Sequence, residues 1–344
     1  MRALVTGGTG FVGSAVAREL LSEGYQVSCL VRPCSDLRNL TGLDVALVQG
    51  ELGDMASLRE ALRGCQELYH VAAYYSTRPE EAERMFAVNA LGSRNVLGAA
   101  AEAGLSRIVH TSTIGTIGRP AADKFQSIAN TNQGEIETCL GGRLPTEEDV
   151  FDDWEKASPY VRSKLEAERV AFELACQGAP IVVVNPCAPV GPRDIKPSST
   201  GARIIAYLEG RRPSFVTGGI NFVAVEDVAR GHVLAAQRGG VGERYILGNA
   251  EGNLDLADFC ALMERVSGVC SPKAGERRGL GRARAILRGL LRRKRGVGSG
   301  AADYRPDALT ADPSKAIREL GLPQTPLEAA FRQAVEWFRA QGYV

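Results

Sequence analysis

The residues that decide the fold are VTGGTGFVG, at positions 5–13. They include the end of a short apolar run at 2–7 and the beginning of a second stretch, 11–23. The apolar residues of that second stretch have helical spacing, and it stops before Gly24. A second apolar run covers 26–32. Strand, helix and strand within about thirty residues predict a βαβ unit, and therefore a parallel sheet.

The same alternation continues along the chain. Further strands are expected near 45–48, 68–73, 107–112 and 181–185, and helices at 55–63, 80–103 and 159–177. Six strands joined by helical crossovers predict an α/β protein with a doubly wound parallel sheet of the Rossmann type.

The glycines of the first turn point to a bound dinucleotide. They satisfy G-x-G-x-x-G at 8, 10 and 13, and the variant G-x-x-G-x-x-G at 7, 10 and 13. The missing Cβ atoms permit a tight turn, and the N-terminus of the following helix offers free N–H groups to a pyrophosphate. The predicted contacts come from Gly7, Thr9, Gly10, Phe11, Val12 and Gly13. The alternative is a turn whose glycines serve packing alone.

Arg32, nineteen residues after Gly13, ends the second predicted strand. An NAD-selective site would place Asp or Glu there, to accept hydrogen bonds from the ribose hydroxyls. A guanidinium suits a 2′-phosphate, so the sequence favours NADP over NAD. The alternative is a solvated surface arginine in a protein that binds NAD. Glu51 and Leu52, after the third strand, are expected to meet the adenine.

The regular alternation of strands and helices stops after Pro186. We therefore expect residues 1–185 plus 221–249 to form the NADP-binding Rossmann domain. Residues 186–220 plus 250–344 would form a smaller C-terminal substrate-binding domain. Residues 119–153 have no clear periodicity and predict a long loop or insertion, which could cover the pocket.

Composition excludes several classes of protein. Apolar residues make up 44% and charged residues 24% of the 344, as in ordinary globular proteins. Eight scattered cysteines without a C-x-x-C pair, and three histidines, predict neither a metal site nor a disulfide framework. We find no signal peptide or membrane span in the sequence, so a cytoplasmic location is expected.

Tyr160 and Lys164 are one helical turn apart, so they share a helix face. A phenol has a pKa of about 10, and a nearby ammonium lowers it toward neutral pH. Ser158 and Pro159 predict the start of this helix. Thr113, at the carboxyl end of a predicted strand, can hydrogen-bond a substrate oxygen, with Ser112 as the alternative. In isolation, the Tyr160–Lys164 spacing fits equally a helix with a packed tyrosine and a solvated lysine.

Together these motifs resemble the extended short-chain dehydrogenase/reductase superfamily. The resemblance rests on TGGTGFVG, Thr113, Tyr160-x-x-x-Lys164, HVAA (70–73) and NALGSRN from Asn89. Later stretches are similar to the hopanoid-associated sugar epimerase group, which lies near dihydroflavonol reductases and hydroxysteroid dehydrogenases. These are NPCAPVGPRDIKPSSTG (185–201), GINFVAVEDVARGHVLA (219–235) and GERYILGN (242–249).

The resemblance implies a role for each matching residue. Tyr160 is the general acid/base, Lys164 holds the nicotinamide ribose and tunes Tyr160, and Thr113 orients the reacting carbonyl or alcohol. Asn89 supports a proton-relay water. Ala72, Ala73, Pro186 and Ala188 line the nicotinamide side, and the family pattern has Asp where this chain has Glu51. Dimerisation through two helices is also implied.

The basic excess of the chain is concentrated in one segment. Ten Lys/Arg and one acid lie within 273–295, whereas the whole chain has a net charge of +1. In LGRARAILRGLLRRKR (280–295), apolar residues and arginines alternate as in a helix on an anionic bilayer. We expect peripheral membrane contact here or an exposed tether. No nucleic-acid module accompanies the segment.

The expected function is an NADP-dependent oxidoreductase that interconverts a secondary alcohol and a ketone, on a sterol or hopanoid-like lipid. One alternative is a nucleotide-sugar epimerase with tightly bound NAD, in which Arg193 and Lys196 meet the diphosphate. Another is a redox-sensing protein that binds NAD(P) without catalysis.

Overall fold

A parallel sheet forms the larger part of the protein. The computed structural model describes residues 1–119, 143–152, 154–270 and 308–344. Within them, seven parallel strands lie in the order β3-β2-β1-β4-β5-β6-β9. Their bounds are β1 Arg2–Thr6, β2 Gln26–Val31, β3 Val45–Gln49, β4 Glu67–His70, β5 Arg107–Thr111, β6 Ile181–Pro186 and β9 Arg244–Leu247. The predicted doubly wound α/β fold is confirmed.

Helices cover both faces of this sheet. One face carries α1 (Phe11–Ser22) and α7 (Val225–Arg238), which pack against each other. The other carries α2 (Met55–Leu62), α4 (Gly92–Glu102) and α5 (Pro159–Cys176). Side chains that alternate along the strands fill two separate cores, with Ala3 and Val5 on the α1 face and Leu4 on the α2 face.

The helix expected at 80–103 is interrupted. It consists of α3 (Ala82–Phe86), a π-helical turn over Ala87–Leu91, and α4. The helical periodicity is correct, but spacing alone does not show a single π turn. Asn89 lies in this turn.

A smaller sheet lies beyond Pro186. It has the order β10-β8-β7, where β7 is Ala188–Val190, β8 is Ile220–Ala224 and β10 is Asn253–Leu254. With α6 (Ser199–Leu208), α8 (Leu256–Ser267) and α9 (Leu327–Ala340) it encloses a third, phenylalanine-rich core. The predicted domain boundary at 221 falls within β8, and the chain then returns to the large sheet as α7 and β9.

Part of the predicted insertion borders the large sheet. Residues 143–152 are described, and Val150 forms a β-bridge with Ile117. The buried Glu147 carboxylate accepts a hydrogen bond from the Ile246 N–H of edge strand β9 at 2.8 Å. Arg244 of β9 in turn donates to the Glu147 and Asp149 carbonyls. This stretch therefore covers the outer edge of β9, which would otherwise be exposed.

The turn between β1 and α1 depends on close backbone approach. Gly7 has φ +75°, and a Cβ there would lie 2.7 Å from the Ala72 Cα and N. Gly24 has a similar φ of +80° and open space around it. The two glycines share the conformation and differ in the contact.

We expect Gly7→Ala to lower the free energy of unfolding by about 2–4 kcal/mol, because a left-handed alanine and a backbone collision add together. Gly24→Ala is the matched control and should cost about 1 kcal/mol. Urea unfolding of both variants measures the difference. Equal losses would show that the contact with Ala72 is unimportant.

Candidate active site

The glycine turn lies at the topological switch point of the sheet. Strands β2 and β4 flank β1 on opposite sides, so a crevice opens at their carboxyl ends. Gly10 precedes α1, its N–H donates to the Gly7 carbonyl at 2.9 Å, and no side chain caps the helix. The first turn of α1 also holds no acidic residue. Free N–H groups without a competing carboxylate fit the pyrophosphate of a dinucleotide.

The glycines also bring α1 close to this turn. A Cβ on Gly13 would lie 2.1 Å from the Gly7 carbonyl oxygen, so no larger residue fits there. Thr9, Phe11 and Val12 occupy the same turn and the start of the helix. The predicted pyrophosphate contacts are therefore adjacent in space.

Arg32 follows the carboxyl end of β2, beside this turn. Its side chain is exposed and forms no ion pair within the part of the chain that the structure describes. Glu51 and Leu52 follow β3, and Leu52 packs beneath Gly92 of α4. These positions are compatible with the predicted 2′-phosphate and adenine contacts.

The residues predicted on the nicotinamide side lie at the ends of two further strands. Ala72 and Ala73 follow β4, and the Ala72 N–H donates to the Thr6 hydroxyl at 3.3 Å. Pro186 ends β6, and Ala188 begins β7. All four therefore belong to the same edge of the large sheet or its continuation.

Tyr160 and Thr113, the predicted catalytic residues, lie close together. Tyr160 is the second residue of α5, whose start is capped by the Ser158 hydroxyl as predicted. The Thr113 side chain lies near enough to the Tyr160 phenol to lower its pKa. The ring of Tyr75 packs edge-on against the Tyr160 ring, with centroids 4.9 Å apart. Burial, and then the Tyr75 phenol, raise the pKa of Tyr160 to about 12, which the Thr113 side chain opposes.

Lys164 is buried one turn further along α5. Its Nζ donates to the Thr111 carbonyl at 2.6 Å. Burial lowers the pKa of Lys164 to about 8, and the charge of Glu168 opposes the shift. Lys164 and Tyr160 share one face of α5, as four-residue spacing predicts, and an ammonium near the phenol would favour the phenolate.

Two histidines border this centre and remain neutral. Burial, and then the charge of Lys164, lower the pKa of His70 to about 3 and move that of His110 well below its ordinary value. Their rings stack with centroids 5.4 Å apart. Neither can act as a cationic acid at neutral pH.

Ser112 belongs to a different polar cluster. Its hydroxyl lies 3.3 Å from that of Thr116, which donates to the buried Glu168 carboxylate at 2.7 Å. Asn185 donates to the same carboxylate at 2.6 Å. Since Thr113 contacts Tyr160 and Ser112 does not, the geometry favours Thr113 of the two predicted hydroxyls.

Asn89 connects the π turn to the reaction centre. Its amide nitrogen donates to the Tyr74 carbonyl at 2.9 Å and to the Ser163 hydroxyl at 3.0 Å. Its oxygen accepts from the Tyr74 N–H at 2.7 Å. Asn89 therefore holds the loop that carries Tyr75, and the water-relay role remains a prediction.

Sequence reasoning missed Tyr75, Glu168 and β9. Tyr75 follows the carboxyl end of β4, where loop residues of such sheets face the ligand, so its position could have indicated it. Glu168 is one turn beyond Lys164, which was also visible as an i,i+4 pair. The signal for β9 was the short apolar run in GERYILGN.

Two predictions fall wholly or partly outside the described residues. The basic segment 273–295 lies outside them, and so does most of the 119–153 insertion. None of the described helices combines the length and hydrophobicity needed to cross a bilayer.

Fold and site together define a nicotinamide-dependent oxidoreductase of the Rossmann type. The family model for the NAD-dependent epimerase/dehydratase family matches residues 3–248. The chain belongs to this family, and it is an NAD(P)-dependent enzyme of the extended short-chain dehydrogenase/reductase type.

Individual relatives cover nearly the whole chain. A Synechocystis protein provisionally named dihydroflavonol 4-reductase is 38% identical, over 99% of this chain and 95% of its own length. Sterol demethylase protein B of Methylococcus capsulatus is 32% identical over 100% of both chains. Among solved structures, that of gox2253 is 34% identical, with a TM-score of 0.80 over 99% of both chains.

The buried Lys164 makes stability depend on pH. Its folded-state pKa of about 8 lies below the ordinary 10.5. Below pH 8 both states carry the proton, and the folded protein bears the full cost of a buried ammonium. Between about pH 8 and 10.5 only the unfolded state stays protonated, so stability rises.

We expect the wild type to gain about 1–3 kcal/mol relative to Lys164→Met between pH 7 and pH 10. Urea unfolding at the two pH values measures this. Lys196→Met, at an exposed position, is the control and should show no such gain. A difference between wild type and Lys164→Met that is independent of pH would contradict the prediction.

Proposed function

We propose that the protein interconverts a secondary alcohol and a ketone with NADP(H), on a sterol or hopanoid-like lipid. The observation that carries the chemistry is the closeness of the Thr113 side chain to the Tyr160 phenol, on the helix whose next turn carries the buried Lys164. Two hydroxyls this close together can both bind a single substrate oxygen.

Proton movement is assigned to Tyr160. When a ketone is reduced, the Tyr160 O–H gives its proton to the oxygen that becomes the alcohol, and Thr113 donates a hydrogen bond to the same oxygen. The Lys164 ammonium stabilises the phenolate that remains, because opposite charges in a buried site interact strongly. When an alcohol is oxidised, the same proton returns to Tyr160.

The assignment of NADP rests on Arg32. An exposed guanidinium at the end of β2, without a carboxylate partner in the described residues, offers a bidentate contact to a 2′-phosphate. The glycine turn would hold the pyrophosphate, and Glu51 with Leu52 the adenine. When bound, the nicotinamide ring supplies or accepts the hydride.

The assignment of a lipid substrate rests on two observations. Sterol demethylase protein B matches this chain from end to end. The basic amphipathic sequence at 280–295 is suited to an anionic membrane surface, where such lipids are found. The basic segment supports a cytoplasmic location with peripheral membrane contact, which we also propose. We retain, as separate proposals, the predicted division into two domains and the homodimer that the family resemblance implies.

Nucleotide-sugar epimerisation is the second candidate, supported by the family's description. An epimerase reuses its cofactor, so it retains NAD tightly, whereas a reductase exchanges NADP(H) with solution. Mass spectrometry of the protein as purified, followed by assays with polycyclic ketones and with UDP-sugars, separates the two. Retained NAD and turnover of a UDP-sugar without NADPH consumption would refute the lipid reductase.

We expect Arg32→Gln to weaken NADPH binding about 10- to 100-fold, because a charge-assisted contact to phosphate is lost. NADH, which has no 2′-phosphate, should bind as before. Fluorescence titration of each reduced cofactor measures both constants. Arg78→Gln, at an exposed arginine after β4, should leave both unchanged. An equal effect on NADH would show that Arg32 does not select the cofactor.

We expect Tyr160→Phe to reduce turnover at least about 1,000-fold while NADPH still binds, because the proton donor is removed. Thr113→Val should lose about 10- to 100-fold, and Ser112→Ala, the matched control, less than about threefold. Steady-state NADPH oxidation with an accepted ketone measures all three. Unaltered function of Tyr160→Phe would instead favour the redox-sensing protein.

A further inference from the structure

A crevice rich in arginine lies between the two parts of the protein, away from Tyr160. It has a volume of about 390 Å³, and its lining includes Arg18 of α1, Arg38 after β2 and Arg193 after β7. Trp337 of α9 and Tyr343 contribute aromatic surface. No carboxylate belongs to its described lining. Its walls do not include the glycine turn or Arg32.

The three guanidinium groups are only partly neutralised. Arg38 pairs with Asp36 at 2.7 Å, and its side chain is 66% exposed. Arg193 forms no ion pair within the described residues, although its charge acts to lower the pKa of the Glu226 carboxyl. Burial, and then the charge of Arg193, lower the pKa of Arg18. Arginines that repel one another in this way are typical of a site that binds an anion.

Two buried polar atoms in the lining lack a partner. The Arg18 Nη2 donates to the Asn39 carbonyl at 2.8 Å, but its Nε has no hydrogen-bond partner in the described structure. The Oδ1 of Asn39, a residue only 3% exposed, also has none. An unpaired buried donor such as the Arg18 Nε is costly, and an anion would satisfy it, whereas the Asn39 Oδ1 is an acceptor and would not bind a phosphate oxygen.

The backbone at Arg193 is also unusual. Arg193 is the only described residue other than glycine with a positive φ, +73°. Its carbonyl accepts a hydrogen bond from the Asn39 amide at 3.2 Å, and the same amide reaches the Thr9 carbonyl. Strained residues of this kind concentrate at functional sites.

We propose that this crevice binds a phosphate group, at a site separate from the cofactor cleft. Arg18 and Arg193 are its principal ligands, and Arg38 lies at its rim. A phosphate there accepts hydrogen bonds from guanidinium groups of both parts of the protein, and so links the nucleotide-binding part to the smaller sheet. It gives Arg193 a ligand other than the substrate diphosphate that the nucleotide-sugar alternative assigns to Arg193 and Lys196.

Binding of inorganic phosphate tests the proposal. We expect a saturable rise in the melting temperature of about 2 °C at ten times Kd, measured at constant ionic strength with sodium chloride as the balancing salt. Calorimetric titration should give the same Kd. Arg18→Gln and Arg193→Gln should each weaken phosphate binding at least tenfold, whereas Arg63→Gln, on the α2 face of the sheet, should not.

Saturating NADP⁺ separates the two sites. Phosphate should bind with the same Kd in its presence, and NADPH affinity should be unchanged in Arg193→Gln. AMP that binds more tightly than phosphate, with the same dependence on Arg193, would identify the source of the group as a nucleotide.

Three results would each overturn the proposal. These are the absence of a saturable phosphate effect, an effect equal in wild type and both variants, and loss of phosphate binding when NADP⁺ is added. The last would assign the crevice to the cofactor itself.

Discussion

The Gly7 carbonyl group is where three parts of the fold come closest together. It accepts the Gly10 N–H, it leaves no room for a Cβ on Gly13, and the Gly7 Cα faces the backbone of Ala72. Strand β1, helix α1 and the end of β4 are thereby brought within backbone contact distance. The position of the cofactor cleft, and of every residue around it, depends on that spacing.

Burial of the Lys164 ammonium lowers the stability of the folded protein. A lysine that is 1% exposed, with a carbonyl as its hydrogen-bond partner, lies one helical turn from a tyrosine whose own pKa is raised by burial. Burial disfavours both ionised groups relative to water, although Lys164 is still protonated below about pH 8. In the protein alone, burial and Tyr75 thus outweigh the lowering of the Tyr160 pKa that was expected from the Lys164 ammonium, and a bound cofactor and substrate would have to bring that pKa down. The neutral His70 and His110 leave Lys164 as the local cation.

Much of this site could be predicted from residue types and spacing. The glycine turn, the Tyr160–Lys164 pair and its capping Ser158 are local patterns, and local patterns follow directly from chain geometry. Local patterns could not decide between Ser112 and Thr113. The two residues are adjacent and both carry a hydroxyl, so they differ only in their tertiary contacts. Tyr75 was missed because its partner Tyr160 is eighty-five positions away.

The sequence by itself determined the parallel sheet, the glycine turn and the helix that carries Tyr160 and Lys164, because hydrophobic periodicity and glycine placement act within a few residues. Only the tertiary structure decided that Thr113 meets Tyr160, that a π turn places Asn89 against Tyr74, and that Arg18 and Arg193 share one crevice. These contacts join residues far apart in the chain, and their geometry depends on how helices and strands pack, which no local pattern encodes.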